Sequence, residues 1–573
     1  MKNWRFYVLV LIIFFCFGAI IFRLFTLQII KHKVYEAEAS RQQQTQQTVY
    51  PKRGEIFLKD RFNIESDSLT SFFPIAINKD FYKVYAVPKD IEEKEEAAEL
   101  LAPLLGISSD EIRQRVYKEN DPYEPLKNKV DQDTVDKIKE SNLKGIGFEK
   151  EPKRYFPSNE MACHILGFVR QGEGEQGVGQ YGTEGSYEEE LAGKVGIAQM
   201  QKDSSGELIP TSKKVTQEAE DGADLVLTID PNIQFFVEQK LKEYIDQYKS
   251  TGGTVIIMDT KTGAIKAMAN WPKFNPNEYG SVKNINVFIN NAFQSLFEPG
   301  SVFKPITMAA AIDKGVVSPQ TTYNDTGKVQ VGDRIIENAL KKGEGIQTMT
   351  QVLEKSLNTG VVFAQQKLGK DAFKEYVEKF GFADKTGIDL NGEVGGNLSN
   401  LKTKRDVEFA TASFGQGIAV TPIQLVVAIG AIANDGILMK PYIVDRIIKG
   451  DEQKKTEPQE QRRVVSSDTA SRITAMMVSA VKNGHTQRAG VEGYSVAAKT
   501  GTAQIPDSST GRYLENETIH SVLGYFPAFN ARFAMITKLD KPIGARFAET
   551  TAAQLFGDIA KYVLNYYEIA PSE

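Results

Sequence analysis

The chain of 573 residues holds only two cysteines, Cys16 and Cys163, and four histidines. Cys16 lies inside an apolar run, which argues against a disulfide between the two. No Cys/His spacing resembles a zinc site. An excess of positive charge is also missing. Lys and Arg number 69 against 74 Asp and Glu, a net charge of -5, so the composition gives no ground for a nucleic-acid partner. Neither an internal repeat nor a low-complexity tract is found, which excludes solenoids and disordered arrays. The remaining composition, 41% hydrophobic and 25% charged, is that of a globular protein with room for a large core.

The first feature present is an apolar N-terminus, MKNWRFYVLVLIIFFCFGAIIFRLFTLQIIKHK. Phe6 to Phe22 carries no charge, and apolar character resumes after Arg23 through Ile30. A run of about 17–25 residues can cross a bilayer. No A-x-A cleavage site follows it, so the segment reads as an uncleaved signal anchor. Lys2 and Arg5 before it are balanced by Arg23, Lys31 and Lys33 after it, so charge alone does not orient it.

Three segments follow, with boundaries expected at 1–31 (short tail and anchor), 32–220 and 221–573. The middle one is polar and mixed. Glu93–Leu105, Ser108–Lys118 and Asp131–Glu140 read as short helices with acidic first turns, the last two with Ser and Asp caps. Short apolar pieces (DFYKVYAV, ILGFV) and a Gly-rich stretch, GEGEQGVGQYGTEG, make it an α+β module without an evident nucleophile. Thr211–Asp224 reads as a linker or exposed hairpin. From LVLTIDPNIQ onward, strands such as GTVIIMD alternate with helices such as VFKPITMAAAI and QLVVAIGAIA, enough for one large domain.

The tripeptide Lys-Thr-Gly occurs three times. At Lys261–Gly263 it joins two strand-like runs, and at Lys385–Gly387 it follows a helix; both read as loops. At Lys499–Gly501 it lies within a strand, SVAAKTGTA. A glycine weakens a strand unless another backbone must come close, and a peptide laid along an edge strand is one such backbone. Lys499, Thr500 and Thr502 could then hold a carboxylate.

A serine followed three residues later by a lysine occurs at Ser141, Ser301, Ser399 and Ser479. The first and third lie in polar loops. The last lies in an amphipathic helix whose Lys482 suits the C-terminal dipole. Ser301 differs, because Pro299-Gly300 turns the chain just before it and an apolar helix follows. Pro305 is tolerable only in a first turn, which puts Ser301 at the helix start and Lys304 on the same face. Burial would lower the Lys304 pKa and make it a base for the hydroxyl. A third element is Ser356-Leu357-Asn358. Thr348 and Gln351 form a capping box for a short helix before it, and a break there would project a hydroxyl and an amide into a cleft.

Ser-x-x-Lys, Ser-x-Asn and Lys-Thr-Gly in this order resemble the signature of penicillin-binding proteins and serine β-lactamases. Leucine stands at 357, where one form of the pattern has aspartate. LTIDPNIQ, LFEPGSVFKP, ASFGQGIAVTPIQ and AKTGTAQ resemble the transpeptidase domain of that family. RGEIFLKDR, KRYFP and GTEGSYEEELAGKVG resemble the non-catalytic module of its class B, monofunctional members. No glycosyltransferase signature is present.

The resemblance implies an α+β fold with one N-terminal transmembrane helix, an elongated pedestal module for dimerisation or interaction, and a transpeptidase domain with a central antiparallel sheet flanked by helices. It implies that Ser301, Lys304 and Ser356 are catalytic, that Asn358, Lys499, Thr500, Gly501 and Thr502 bind substrate, and that no metal or organic cofactor is used. The implied partners are peptidoglycan stem peptides ending in D-Ala-D-Ala, β-lactams and a separate membrane glycosyltransferase of the SEDS type. The implied location is the cell membrane, single-pass, with the N-terminus cytoplasmic and the catalytic domain outside. A D-alanyl-D-alanine carboxypeptidase or β-lactamase-type hydrolase, and a penicillin sensor or scaffold without turnover, stand as alternatives. The large upstream module and the anchor favour the transpeptidase.

Overall fold

A computed structural model describes residues 3–36, 44–62, 69–118, 121–170, 177–202, 208–507 and 512–572. Lys2 and residues 171–176, which hold the start of the Gly-rich stretch, lie outside the described residues. The chain divides into two compact units, Met1–Arg53 with Ala192–Gly222 and Gly54–Leu191 with Ala223–Glu573.

In the first unit a helix over Trp4–Phe25 continues as a π-helical turn over Thr26–Ile30. Together they make a 27-residue apolar helix. At about 1.5 Å per residue it exceeds the thickness of a hydrocarbon core. Its side chains meet no protein core. Gln44–Val49, Gly196–Lys202 and Leu208–Gln217 form an antiparallel three-stranded sheet. The segment expected as a linker or exposed hairpin from Thr211 thus begins as a paired strand.

In the second unit the three expected upstream helices lie at Lys94–Leu105, Ser109–Val116 and Gln132–Glu140. Ser108 and Asp131 cap the last two by accepting from Glu111 N and Thr134 N. A mixed sheet joins distant sequence. Val444–Lys449 pairs with Asp224–Leu227, which runs parallel to Ile56–Leu58, which pairs in turn with the long strand Phe73–Ala86. Gly54 shows how tight this junction is, since a Cβ there would sit 1.9 Å from the Ala223 oxygen. Beside it Arg154 of KRYFP donates to Glu184 of GTEG at 2.5 Å and to Gly54 O at 2.8 Å, both side chains buried. The three upstream segments that resemble one family's module therefore meet at one place.

The larger part of this unit holds the elements that matter for chemistry. They are helix α1 (Pro231–Tyr248), strands β1 (Gly252–Asp259) and β2 (Ile265–Trp271), helices α2 (Lys304–Asp313), α3 (Met349–Glu354), α4 (Asn358–Leu368), α5 (Pro422–Ala433) and α6 (Ser467–Asn483), strands β3 (Ala497–Pro506), β4 (Tyr513–Phe526) and β5 (Phe533–Asp540), and helix α7 (Ala552–Tyr566). The five strands form an antiparallel sheet in the order β2-β1-β5-β4-β3, which leaves β3 at an edge. Both faces are covered, and strand periodicity sorts the side chains. Val255 and Ile257 pack with Leu555 and Phe556 of α7. Ile256 and Met258 pack in the core that holds the apolar residues of α5 and α2. Burial on both faces explains why β1 reads as a continuous hydrophobic run.

Candidate active site

Ser301 lies on a 3-10 turn over Gly300–Phe303, and α2 begins only at Lys304. The expected α-helical start is therefore a tighter turn, in which residues three apart eclipse one another. That spacing places Lys304 on the same side of the turn as Ser301. Pro305 falls in the first α turn, where its missing N–H costs nothing. Gly300 takes φ 60°, and a Cβ on it would lie 3.0 Å from the Ala503 Cβ of β3. The turn therefore rests directly on the edge strand. Behind it Gly300 N donates to Gly415 O at 3.0 Å, and a Cβ on Gly415 would lie 2.2 Å from Gly300 O.

Lys304 is fully buried. Its Nζ donates to the Ser356 carbonyl oxygen at 2.6 Å and lies 3.2 Å from Ser356 Oγ. Burial, and then the neighbouring ammonium of Lys499, push Lys304 well below its ordinary value of 10.5. Ser356 takes φ 56°, a conformation that a non-glycine residue adopts only when its surroundings enforce it. It sits in the break between α3 and α4, and at the start of α3 the capping box of Thr348 and Gln351 is formed as the sequence suggests. Asn358 opens α4, and its Nδ2 donates to the Glu337 carbonyl at 2.9 Å.

Lys499 is also fully buried, on β3, and donates to Thr500 O at 3.0 Å. Burial pushes it down to about 7. Thr500 Oγ1 lies 3.4 Å from Thr486 Oγ1. Thr502 Oγ1 accepts from Ala548 N at 3.1 Å. Gly501 faces the Ser301 turn, where a Cβ would lie 2.9 Å from Val302 Cγ1 and 3.2 Å from Pro299 O.

Burial separates these residues from their look-alikes. Lys144, Lys402 and Lys482 of the other Ser-x-x-Lys sites are exposed, as are Lys261 and Lys385 of the other Lys-Thr-Gly sites. Lys144 pairs with Glu92, and Ser479 donates to Glu354. Asp259 Oδ1 accepts from the N–H groups of Lys261 and Thr262 in the β1–β2 hairpin. Glu393 accepts from Thr386 and Gly387. The Asp259 and Glu393 contacts close loops, the Ser479 bond joins α6 to α3, and the Lys144 pair lies on the surface.

The sequence did not point to Glu298 and Tyr513. Glu298 Oε2 accepts from Tyr513 OH at 2.9 Å and Oε1 accepts from Gly417 N at 3.0 Å, so one carboxylate ties the Ser301 turn to β4 and to the loop after residue 412. Glu298 does stand beside the Pro-Gly turn in LFEPGSVFKP and could have been flagged for that reason. Tyr513 carries no local signal.

Residues 253–561 match the family described as penicillin binding protein transpeptidase domain, and residues 48–227 match the penicillin-binding protein dimerisation domain. Stage V sporulation protein D of Bacillus subtilis is 33% identical over 530 residues, covering 91% of this chain and 79% of the relative. Peptidoglycan D,D-transpeptidase FtsI of Escherichia coli is 29% identical over 579 residues, covering 99% and 93%. Among solved structures, penicillin binding protein 2X from Streptococcus thermophilus superposes with a TM-score of 0.77 at 24% identity, covering 91% of this chain and 80% of that one. A peptidoglycan synthetase from Bifidobacterium adolescentis gives 0.71 at 25% identity, covering 92% and 98%.

Proposed function

We propose that this chain, which belongs to the class B penicillin-binding protein transpeptidases, cross-links peptidoglycan stem peptides through an acyl-enzyme on Ser301. The observation that carries the reading is the buried, depressed amine of Lys304, one 3-10 turn along the chain from Ser301 and bonded to Ser356.

In the neutral form Lys304 takes the Ser301 proton as the oxygen attacks the penultimate D-Ala carbonyl of the donor. The backbone N–H groups of Ser301 and Thr502 receive the oxyanion. One such donor is typically worth about 3–4 kcal/mol. The C–N bond to the terminal D-Ala breaks, and its nitrogen is protonated by relay through Ser356, with Lys499 at hand. Thr500 and Thr502 hold the terminal carboxylate beside Lys499, and Gly501 lets the peptide backbone approach. Asn358 keeps a second amide hydrogen and its carbonyl for the donor backbone. The amine of a second stem peptide then attacks the ester, restores Ser301 and completes the cross-link. A β-lactam acylates the same hydroxyl and leaves slowly.

The apolar N-terminal helix anchors the protein in the cell membrane. Its tail is cytoplasmic and the catalytic domain faces the extracytoplasmic substrate. A separate SEDS-type membrane glycosyltransferase supplies the glycan strands.

The test is product analysis with the full chain, a donor peptide ending in D-Ala-D-Ala and an amine acceptor. Cross-linked dimer is expected. Free D-Ala without dimer would make the protein a hydrolase, and acylation without either product a sensor or scaffold.

A further inference from the structure

Helix α4 begins with a residue that cannot cap it. Its N-cap is Leu357, which offers no side-chain acceptor, so the first N–H groups of the helix need partners from elsewhere. They find one in the segment between residues 322 and 348. Asn338 Oδ1 accepts from Thr359 N at 3.2 Å. Asn338 Nδ2 donates to both carboxylate oxygens of Asp325 at 3.0 Å. Asp325, 2% exposed, also accepts from Thr359 Oγ1 at 2.7 Å and from the N–H groups of Gly327 and Glu344, each at 3.0 Å. Tyr323 OH lies 3.2 Å from Thr359 Oγ1. The same tyrosine packs so closely on the first turn that a Cβ on Gly360 would lie 2.8 Å from its oxygen.

We propose that Asp325, Asn338 and Thr359 are positioning residues for acyl transfer: they form a helix cap supplied from outside α4, and this cap holds Ser356 and Asn358 at the cleft. Three physical points support it. A fully satisfied buried polar network is rigid, whereas a half-satisfied one is costly. Thr359 lies three residues from Ser356, whose carbonyl is the acceptor for Lys304 Nζ. The φ of 56° at Ser356 needs neighbours on both sides to hold it, and α3 supplies one through the bond from Leu357 N to Val352 O. The external cap supplies the other.

The inference rests on the Ser301 reading, and its test separates the two. The full chain in detergent is labelled with a fluorescent penicillin, and the acylation rate is followed against pH. Thr359→Val removes the hydroxyl and keeps the shape, and Asn338→Ala removes the acceptor. Each is expected to slow acylation about 10- to 100-fold, the usual cost of misplacing a reacting group by about 1 Å. Each should also displace the acid limb of the pH profile, because the acceptor of the Lys304 amine moves. Thr359→Ser should restore both rate and profile. Should Thr359→Val fail to fold, Asp325→Asn carries the same test. Wild-type rates in the folded variants would overturn the positioning role, as would a Thr359→Ser variant as slow as Thr359→Val. Labelling that survives Ser301→Ala would instead overturn the site itself.

Discussion

Gly501 and Val302 meet with no room for another carbon. A Cβ on Gly501 would lie 2.9 Å from Val302 Cγ1, and a β-branched valine inside a packed 3-10 turn cannot swing aside. Gly501→Ala should therefore push β3 away from the Ser301 turn. The expected outcome is a 10- to 100-fold slower acylation by penicillin, roughly the cost of a displaced oxyanion donor. Overpacking should add about 1–3 kcal/mol of destabilisation in thermal melts. An alanine variant that labels at the wild-type rate would show that the strand and the turn need not touch.

Burial of Lys499 comes at the expense of the fold. Its amine sits at about 7 in the folded protein against 10.5 ordinarily, because it is buried. Between those values the unfolded chain binds a proton that the folded chain does not, so stability rises with pH across that window. Below about 7 the penalty is complete. Lys499→Met should be more stable than wild type near pH 6, by about 1–4 kcal/mol, with the advantage shrinking toward pH 10. Penicillin acylation should fall strongly in the same variant. Melts at several pH values read the first effect and labelling reads the second.

The two buried amines also predict a bell-shaped pH profile for acylation. Lys304 must be neutral to accept a proton, so the rate falls as pH drops through its depressed pKa. Lys499 must be charged to hold a carboxylate, so the rate also falls as pH rises past about 7, later once an anionic ligand is bound. Part of the depression of Lys304 comes from Lys499. The residual acylation of Lys499→Met should accordingly show its acid limb at higher pH than wild type. An unmoved limb would mean that the amines do not sense each other.

Three of the four Ser-x-x-Lys sites should separate cleanly by labelling. Ser301→Ala is expected to abolish covalent labelling, while Ser399→Ala and Ser479→Ala retain it. Ser479→Ala should still cost about 0.5–1.5 kcal/mol in a melt, because it breaks the hydrogen bond to Glu354.

Local chemistry made much of this legible. The Asp131 and Ser108 caps, the Thr348–Gln351 box and the Pro-Gly turn before Ser301 each follow from residues within a few positions of one another. The burial of Lys304 and Lys499 could not be read from a lysine and its neighbours, because their cover comes from strands and helices far along the chain. The 3-10 turn escaped for a related reason, since the close approach of Ala503 and Gly415 is what tightens it. The brace from Glu298 to Tyr513 spans more than 200 residues and has no periodicity to betray it. Leu357 departs openly from the aspartate form of the motif. Its counterpart, an acceptor at Asn338, becomes visible only when the two segments are folded together.

The Ser301 turn is approached closely at three glycines, Gly300 by Ala503, Gly415 by the main chain of Gly300, and Gly501 by Val302 and Pro299 O. A site framed in this way leaves no room for a side chain at any of the three. Evolutionary drift in which drugs it admits is thereby channelled to exposed side chains such as Gln504 of β3, whose Oε1 accepts from Gln416 Nε2 at 3.3 Å. A population selected for weaker capture of an antibiotic should accumulate substitutions there and leave the three glycines untouched.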